Sequence, residues 1–167
     1  MPLLAAIHDE PAAAESGPAL APVLPLASEA VASVVFALNT QNGRRYTLAP
    51  ISSDTSWGSA STGLVKAVYD QHVLGIIALD RASAHLAEQI GTKAFVPVLA
   101  MSTDHMLTST NIPWIFRVPQ GTGLDQTVRI LAEAVSRGGA NREKIRDVLA
   151  SGSEIAGVRF ESTGEPK

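Results

Sequence analysis

Three polar clusters sit where apolar runs give way to turns. They are Ser52, Ser53, Asp54 and Thr55; then Asp80, Arg81, Ala82 and Ser83; then Ser102, Thr103, Asp104 and His105. Small hydroxyls beside free backbone N–H groups suit a carboxylate. The same residue types also suit helix capping, where a Ser or Asp side chain accepts from the first N–H groups of the helix that follows. Both readings stand on the residues alone. Asp104 beside His105 has the composition for acid–base work or for holding a metal. However, His8, His72 and His85 are scattered, and none lies at ligand spacing from His105. A Ser–His–Asp set exists in composition, but no G-x-S-x-G elbow accompanies it. No G-x-G-x-x-G follows the first apolar run and no G-x-x-x-x-G-K-[ST] occurs, which disfavours dinucleotide and P-loop chemistry. These residues therefore point to no catalytic group, no metal set and no cofactor.

Composition narrows the classes further. The chain has 167 residues, a formal net charge of −3 and 46% hydrophobic residues, enough for one domain with its own core. No basic run offers a footprint for nucleic acid. Aromatic residues make up only 5%, too few for a row of stacking platforms. No apolar run approaches the roughly 18 residues of a membrane-spanning helix. Cysteine is absent, which removes disulfides, thiolate catalysis and Cys-based zinc sites. The opening residues, MPLLAAIHDEP, lack the basic n-region and long apolar stretch of a secretory signal. That fits a cytoplasmic protein or a form from which a signal has been removed.

The elements that must position these clusters are legible as alternating patterns. Pro2 to Ile7 reads as a strand, and residues 11–27 as an Ala/Pro-rich lead-in. Ser28 caps a helix whose Val31, Val34, Val35 and Leu38 share one face, with turn residues from Asn39 to Gly43. Tyr46 to Ile51 is a second strand. Residues 59–70 form a helix with Leu64, Val65 and Val68 inward. The continuous apolar run Val73 to Leu79 marks a strand covered on both faces. Ser83 to Ile90 is a helix closed by Gly91, Phe95 to Met101 a strand, Ser102 to Asn111 a polar loop, and Trp114 to Val118 a strand. Trp114 reads as core. Trp57 either lines a site or folds back onto the helix beside it. Leu124, Val128, Leu131, Ala132 and Val135 define a helix closed by Gly138 and Gly139. Asn141 caps a shorter helix carrying Ile145, Val148 and Leu149. Val158 to Glu161 reads as a last short strand.

Strands alternating with three-turn helices imply βαβ crossovers. The expected fold is a single three-layer α/β lobe of the Rossmann-like or flavodoxin-like kind. Its mainly parallel sheet has about five strands flanked by helices. Ligands of such sheets sit beyond the carboxyl ends of the strands, where the three polar clusters fall.

The order of segments resembles a known family. SEAVASVVFALNTQNGRRYTLAPISSD is similar to the first helix and second strand of type I periplasmic binding proteins, the leucine/isoleucine/valine-binding group. FVPVLAMSTD and WIFRVP look like that family's V-P-x-[IL]-S-x-x-[AS]-T strand and loop and its hinge strand. Asp80-Arg81-Ala82-Ser83 stands where the family has a Gly/Ser-rich loop. TVRILAEAVSRGGANREKIRDVLASG and AGVRFESTGEP resemble the family's late helices and closing strand. The likeness covers residues 28–167. In the family a whole second lobe lies between hinge strand and late helices, whereas only Gln120 to Gly123 stands there in this chain.

The resemblance implies a non-catalytic module of an ABC transporter substrate-binding protein for amino acids or amides, reduced to one lobe and placed outside the cytoplasm. Carried over, the ligand's carboxylate and amino groups would meet Ser83, Ser102 and Thr103, with Asp80, Arg81 and Asp104 beside them. Arg81 departs from the family, and either pairs with a carboxylate or fills the cleft and bonds Asp104. One lobe leaves one wall of the cleft in water. The expected partners are therefore a small amino acid or amide and, over the interlobe face, a second copy or a protein partner. The rival reading is a structural or accessory subunit that uses that face for assembly alone.

Overall fold

The computed structural model describes residues 3–10, 45–52 and 57–167, with side chains from residue 61 onward. The chain forms strands β1 (Leu3–Glu10) and β2 (Arg45–Ser52), then helix α1 (Trp57–Tyr69) and strand β3 (Gly75–Ala78). Next come α2 (Arg81–Ala94), β4 (Val98–Ala100), the single-turn α3 (Met106–Ser109) and β5 (Ile115–Arg117). The long α4 (Leu124–Gly138) and the shorter α5 (Arg142–Ala150) follow. The expected helix from Ser28 to Asn39 and the Ser53–Asp54–Thr55 part of the first polar cluster lie outside the described residues.

The protein is mixed α/β, and β3, β4 and β5 form a parallel three-strand core of the sheet. The strand order is β2-β1-β3-β4-β5. The expectation of a mainly parallel sheet is corrected at β1, which pairs antiparallel with both β2 and β3. The parallel expectation rested on alternation with helices. Where alternation is seen, from β3 onward, each strand does return through a helix and runs parallel.

Strand period two sorts the core into two layers. Ile76, Ala78, Val98, Ala100 and Ile115 face α1 and α2, packing on Leu64, Val68, Ala84 and Ala87. Ile77, Leu99 and Phe116 face the other way, onto Val128, Leu131 and Val135 of α4 and Ile145 and Leu149 of α5. Both faces of the parallel strands are thus covered, which is why they read as unbroken apolar runs.

Several boundaries move. α2 begins at Arg81 and runs through Gly91 to Ala94. Gly91 is not its terminator, because it lies buried where a Cβ would sit 2.8 Å from Val98 Cγ2; the missing side chain lets the helix lie close on β4. Phe95, expected to open a strand, instead ends α2 in the left-handed region (φ 55) and donates its N–H to Gly91 O. Val65, expected inward, is 43% exposed. The loop after β4 contains α3. No strand forms at Val158–Glu161; there the backbone makes only the isolated bridges Ile155↔Val158 and Phe160↔Pro166. Phe160 is fully buried, edge-on to Phe116 at 5.6 Å. It anchors a closing turn, residues 161–166, whose Gly164 carbonyl accepts from the Arg117 N–H at 2.8 Å.

Candidate functional site

The carboxyl ends of β3, β4 and β5 open onto a crevice of about 370 Å³. Its walls include Leu79 after β3, Ser102 and Thr103 after β4, and Arg117 and Pro119 at the end of β5, with Pro166 of the closing turn beside them. The sheet geometry explains the location, since parallel strands release their chains on one edge and the loops splay there.

Of the six residues expected to hold a ligand, the structure brings Ser102 and Thr103 to this crevice. Asp80, Arg81, Ser83 and Asp104 are instead engaged with one another and with α2. Asp80 is the N-cap of α2, where its carboxylate accepts from the Ser83 N–H at 2.7 Å. Ser83 Oγ in turn accepts from the Asp80 N–H at 3.1 Å, closing a reciprocal capping box. Ser83 is 3% exposed, so its hydroxyl is committed to the helix start and does not face the crevice. For these two positions capping accounts for the residue types.

Arg81 bonds Asp104, its Nε donating to Oδ2 at 2.7 Å. His85 lies four residues on along the same helix face, with its Nε2 2.8 Å from that same oxygen. The Met106 N–H donates to Oδ1 at 3.0 Å, and Ser102 Oγ accepts from the Asp104 N–H at 3.2 Å. The hydrogen bond from His85 holds the Asp104 carboxyl well below the usual carboxylate range, with the Met106 N–H and Arg81 adding to the effect. This cluster ties α2 to the loop that carries Ser102 and Thr103. Arg81 is largely exposed, so its own ion pair is screened by water.

A folded-state pKa held low contributes stability that is present above the unfolded value, 3.8, and is lost as pH falls through the folded one. Asp104→Asn is therefore expected to be less stable than the parent at pH 7 and to lose less on acidification below about pH 4. Urea denaturation at stepped pH reads this out. Parallel profiles for the two proteins would remove Asp104 from the acid response.

The second polar constellation was not singled out in the sequence. Arg117, on β5, is 6% exposed. Its guanidinium donates to both carboxylate oxygens of Glu165, Nε to Oε1 at 3.1 Å and Nη2 to Oε2. Nη1 donates to Ser102 O at 3.3 Å. His105 Nδ1 lies 2.9 Å from Nη2, and since Arg only donates, the ring nitrogen is the acceptor in this contact. Thr108 Oγ1 donates to Glu165 Oε1. The Arg117 hydrogen bonds hold the Glu165 carboxyl below its ordinary value; Thr108 and the charge of Arg117 act in the same direction, while burial opposes them. The signal in the sequence was an arginine inside the apolar run WIFRVP, because a buried arginine requires an anion or carbonyls. Glu165 lies 48 residues away, and no spacing rule points to it.

Chemically, the crevice offers hydroxyls, a guanidinium and an imidazole around a small volume. Among the described residues there is no group of three His, Cys, Asp or Glu side chains that would hold a metal ion. No protein-family model, curated protein or solved structure matches the chain.

A second cleft, of about 750 Å³, lies at the opposite end of the strands. Its walls include Phe95, Trp114, Arg142 and Arg146. Arg146 stacks over the Trp114 ring at 5.0 Å, and Phe95 meets that ring edge-on at 5.6 Å. These contacts hold the loops between helix ends and strands together, opposite the crevice.

Proposed function

We propose that the chain is a non-catalytic small-molecule-binding module of the amino acid or amide class. In this reading it is a single Rossmann-like lobe of the type I periplasmic-binding-protein design, working outside the cytoplasm. The observation that carries the reading is the crevice at the carboxyl ends of the parallel strands, with Ser102 and Thr103 on its wall. Its volume of about 370 Å³ is at the small end of ligand pockets, which suits a molecule the size of an amino acid. Among the described residues no helix is long and apolar enough to cross a membrane. The crevice is open to water on one side, which weakens contacts to a charged ligand. A second copy related by a two-fold axis would supply the missing wall.

The rival reading, a structural or accessory subunit that uses this face for assembly, is favoured by one observation. The charged groups at the strand ends already pair among themselves, Arg81 and His85 with Asp104 and Arg117 with Glu165.

Thermal shift and calorimetry with a panel of amino acids and amides, beside sizing of the native protein, separate the two. The binding reading expects at least one ligand to stabilise the chain. Ser102→Ala with Thr103→Val should then weaken that ligand by about ten-fold, the loss of one or two neutral hydrogen bonds. Absence of any stabilising ligand together with a tight oligomer would leave the assembly reading in its place.

A further inference from the structure

We propose that Arg117 is the anion-binding group of the crevice and that Glu165 holds its place as an internal carboxylate, so that a ligand carboxylate enters by displacing the turn 161–166. This deepens the binding reading above and rests on it.

Three observations carry the proposal. First, Arg117 is a buried cation that lines the crevice. A guanidinium in that position requires an anion, and its planar fork is matched to a carboxylate. Second, its present anion comes from the chain itself, with Glu165 taking two donors of the fork while Pro166, the next residue, lies on the crevice wall. A free carboxylate of the same geometry would make the same two bonds.

Third, the turn that delivers Glu165 lies at the surface and is held by a small, identifiable set of ties. Upstream, Phe160 is locked in the core against Phe116. Beyond it, Glu161 and Ser162 are exposed, Thr163, Glu165 and Pro166 are partly buried, and Gly164 is buried against Ile115 of β5. The turn is tied to the sheet and to α3 by the Arg117 N–H to Gly164 carbonyl bond, by the packing of Gly164 on Ile115 and by the Glu165 carboxylate, and its far end is paired back to the chain by the Phe160↔Pro166 bridge and the Lys167 N–H to Arg159 carbonyl bond. Thr163 Oγ1 is buried and has no hydrogen-bond partner within the protein. A surface turn held by this small set of ties opens at lower cost than the core. It can swing away once the Gly164 packing and the Phe160↔Pro166 bridge part, while the Phe160 ring keeps its place in the core.

Displacement involves no bond chemistry. The ligand carboxylate replaces the Glu165 carboxylate on Arg117, and Glu165 moves into water. Because the internal carboxylate is tethered, it competes at a high effective concentration and lowers the apparent affinity for a free one.

The test uses propionate as the probe and propionamide, of the same shape without the charge, as its control, at about 0.15 M salt. Calorimetry on the parent and on Glu165→Gln is expected to show propionate binding at least about ten-fold tighter in the variant, with propionamide unchanged. On the parent protein, saturating propionate is expected to speed hydrogen exchange at the Arg117 amide, whose acceptor is on the turn. That measurement stands even if Glu165→Gln does not fold. Glu165→Asp keeps the charge on a shorter stem and should fall between the two. Equal propionate affinity in parent and variant, with exchange at Arg117 unaltered, would overturn the internal-ligand proposal while leaving a Ser102/Thr103 module standing. If neither protein binds propionate while the amino acid panel does bind, Arg117 is not the anion group. No binding of any probe to any form removes the binding reading itself.

Discussion

Arg142→Met is expected to lower the free energy of unfolding by about 3 kcal/mol, the sum of two charge-assisted hydrogen bonds of about 1.5 kcal/mol each. Arg142 is the first residue of α5, and its guanidinium reaches under two other helices. Nη2 donates to Val68 O at 2.7 Å, Nε to Val73 O at 2.8 Å, and Nη1 to Ala94 O at 3.4 Å. Val68 lies in the last turn of α1 and Ala94 ends α2, so two of these carbonyls are among those a helix leaves without an internal partner. They also sit at the negative ends of two helix dipoles, which favours a cation there. Burial pushes the Arg142 pKa down from its ordinary value, but the group keeps its charge at neutral pH. Methionine preserves the apolar stem and removes every donor. Val68 and Val73 are buried, so water does not readily replace the lost bonds. For a chain of this size, the loss corresponds to a fall in Tm of about 6–12 °C. Arg142→Lys restores the charge but not the fork, and should recover part of the loss. Urea unfolding of the three proteins measures it, and a change within about 0.5 kcal/mol for Arg142→Met would show that the clamp is ornamental.

Gly164→Ala is expected to cost about 2–3 kcal/mol and to loosen one segment. Gly164 has φ +88, a region where an L side chain strains the backbone by about 1–2 kcal/mol. The surroundings are closed as well. A Cβ there would lie 1.9 Å from Ile115 O, a backbone atom of β5 that cannot rotate away. The chain can escape only by lifting the turn off the strand. That breaks the Arg117 N–H to Gly164 carbonyl bond at 2.8 Å, worth about 1 kcal/mol, and withdraws Glu165 from Arg117. The total is capped by what the turn's contacts contribute, because Phe160 stays buried in the core. Native-state hydrogen exchange should therefore speed up at Arg117 and within 161–166, while exchange in β4 and α4 follows the smaller global change. Unaltered exchange at Arg117 would mean that the turn accommodates the methyl in place.

The helices were the most legible part of the sequence. Leu124, Val128, Leu131, Ala132 and Val135 recur with helical period, and α4 forms where that stripe predicts, with all but Leu124 fully buried. Asn141 reads as a cap and acts as one, accepting from the Lys144 N–H at 2.9 Å. Local chemistry decides such features, because cap and stripe lie within one or two turns of each other. Boundaries that depend on a neighbour were less legible. Gly91 has the sequence signature of a helix end, yet it lies inside α2 because Val98 of β4 needs the space a side chain would take. Phe95 sits in an apolar run that reads as strand, yet it caps the helix in a conformation usually left to glycine. The direction of β1 was likewise not in the residues, since strand pairing is a choice among distant partners.

For the site, the sequence by itself determined where polar chemistry lies: at the carboxyl ends of strands, in small hydroxyls and acids. Apolar runs must end there and helix starts must be capped. Only the tertiary structure decided how those residues divide. Asp80 and Ser83 cap α2, and Asp104 is spent on Arg81 and His85. Ser102 and Thr103 reach the crevice. It also brought in Arg117 and Glu165, because a buried charge finds its partner through space, and the partner here arrives on a turn 48 residues further along the chain.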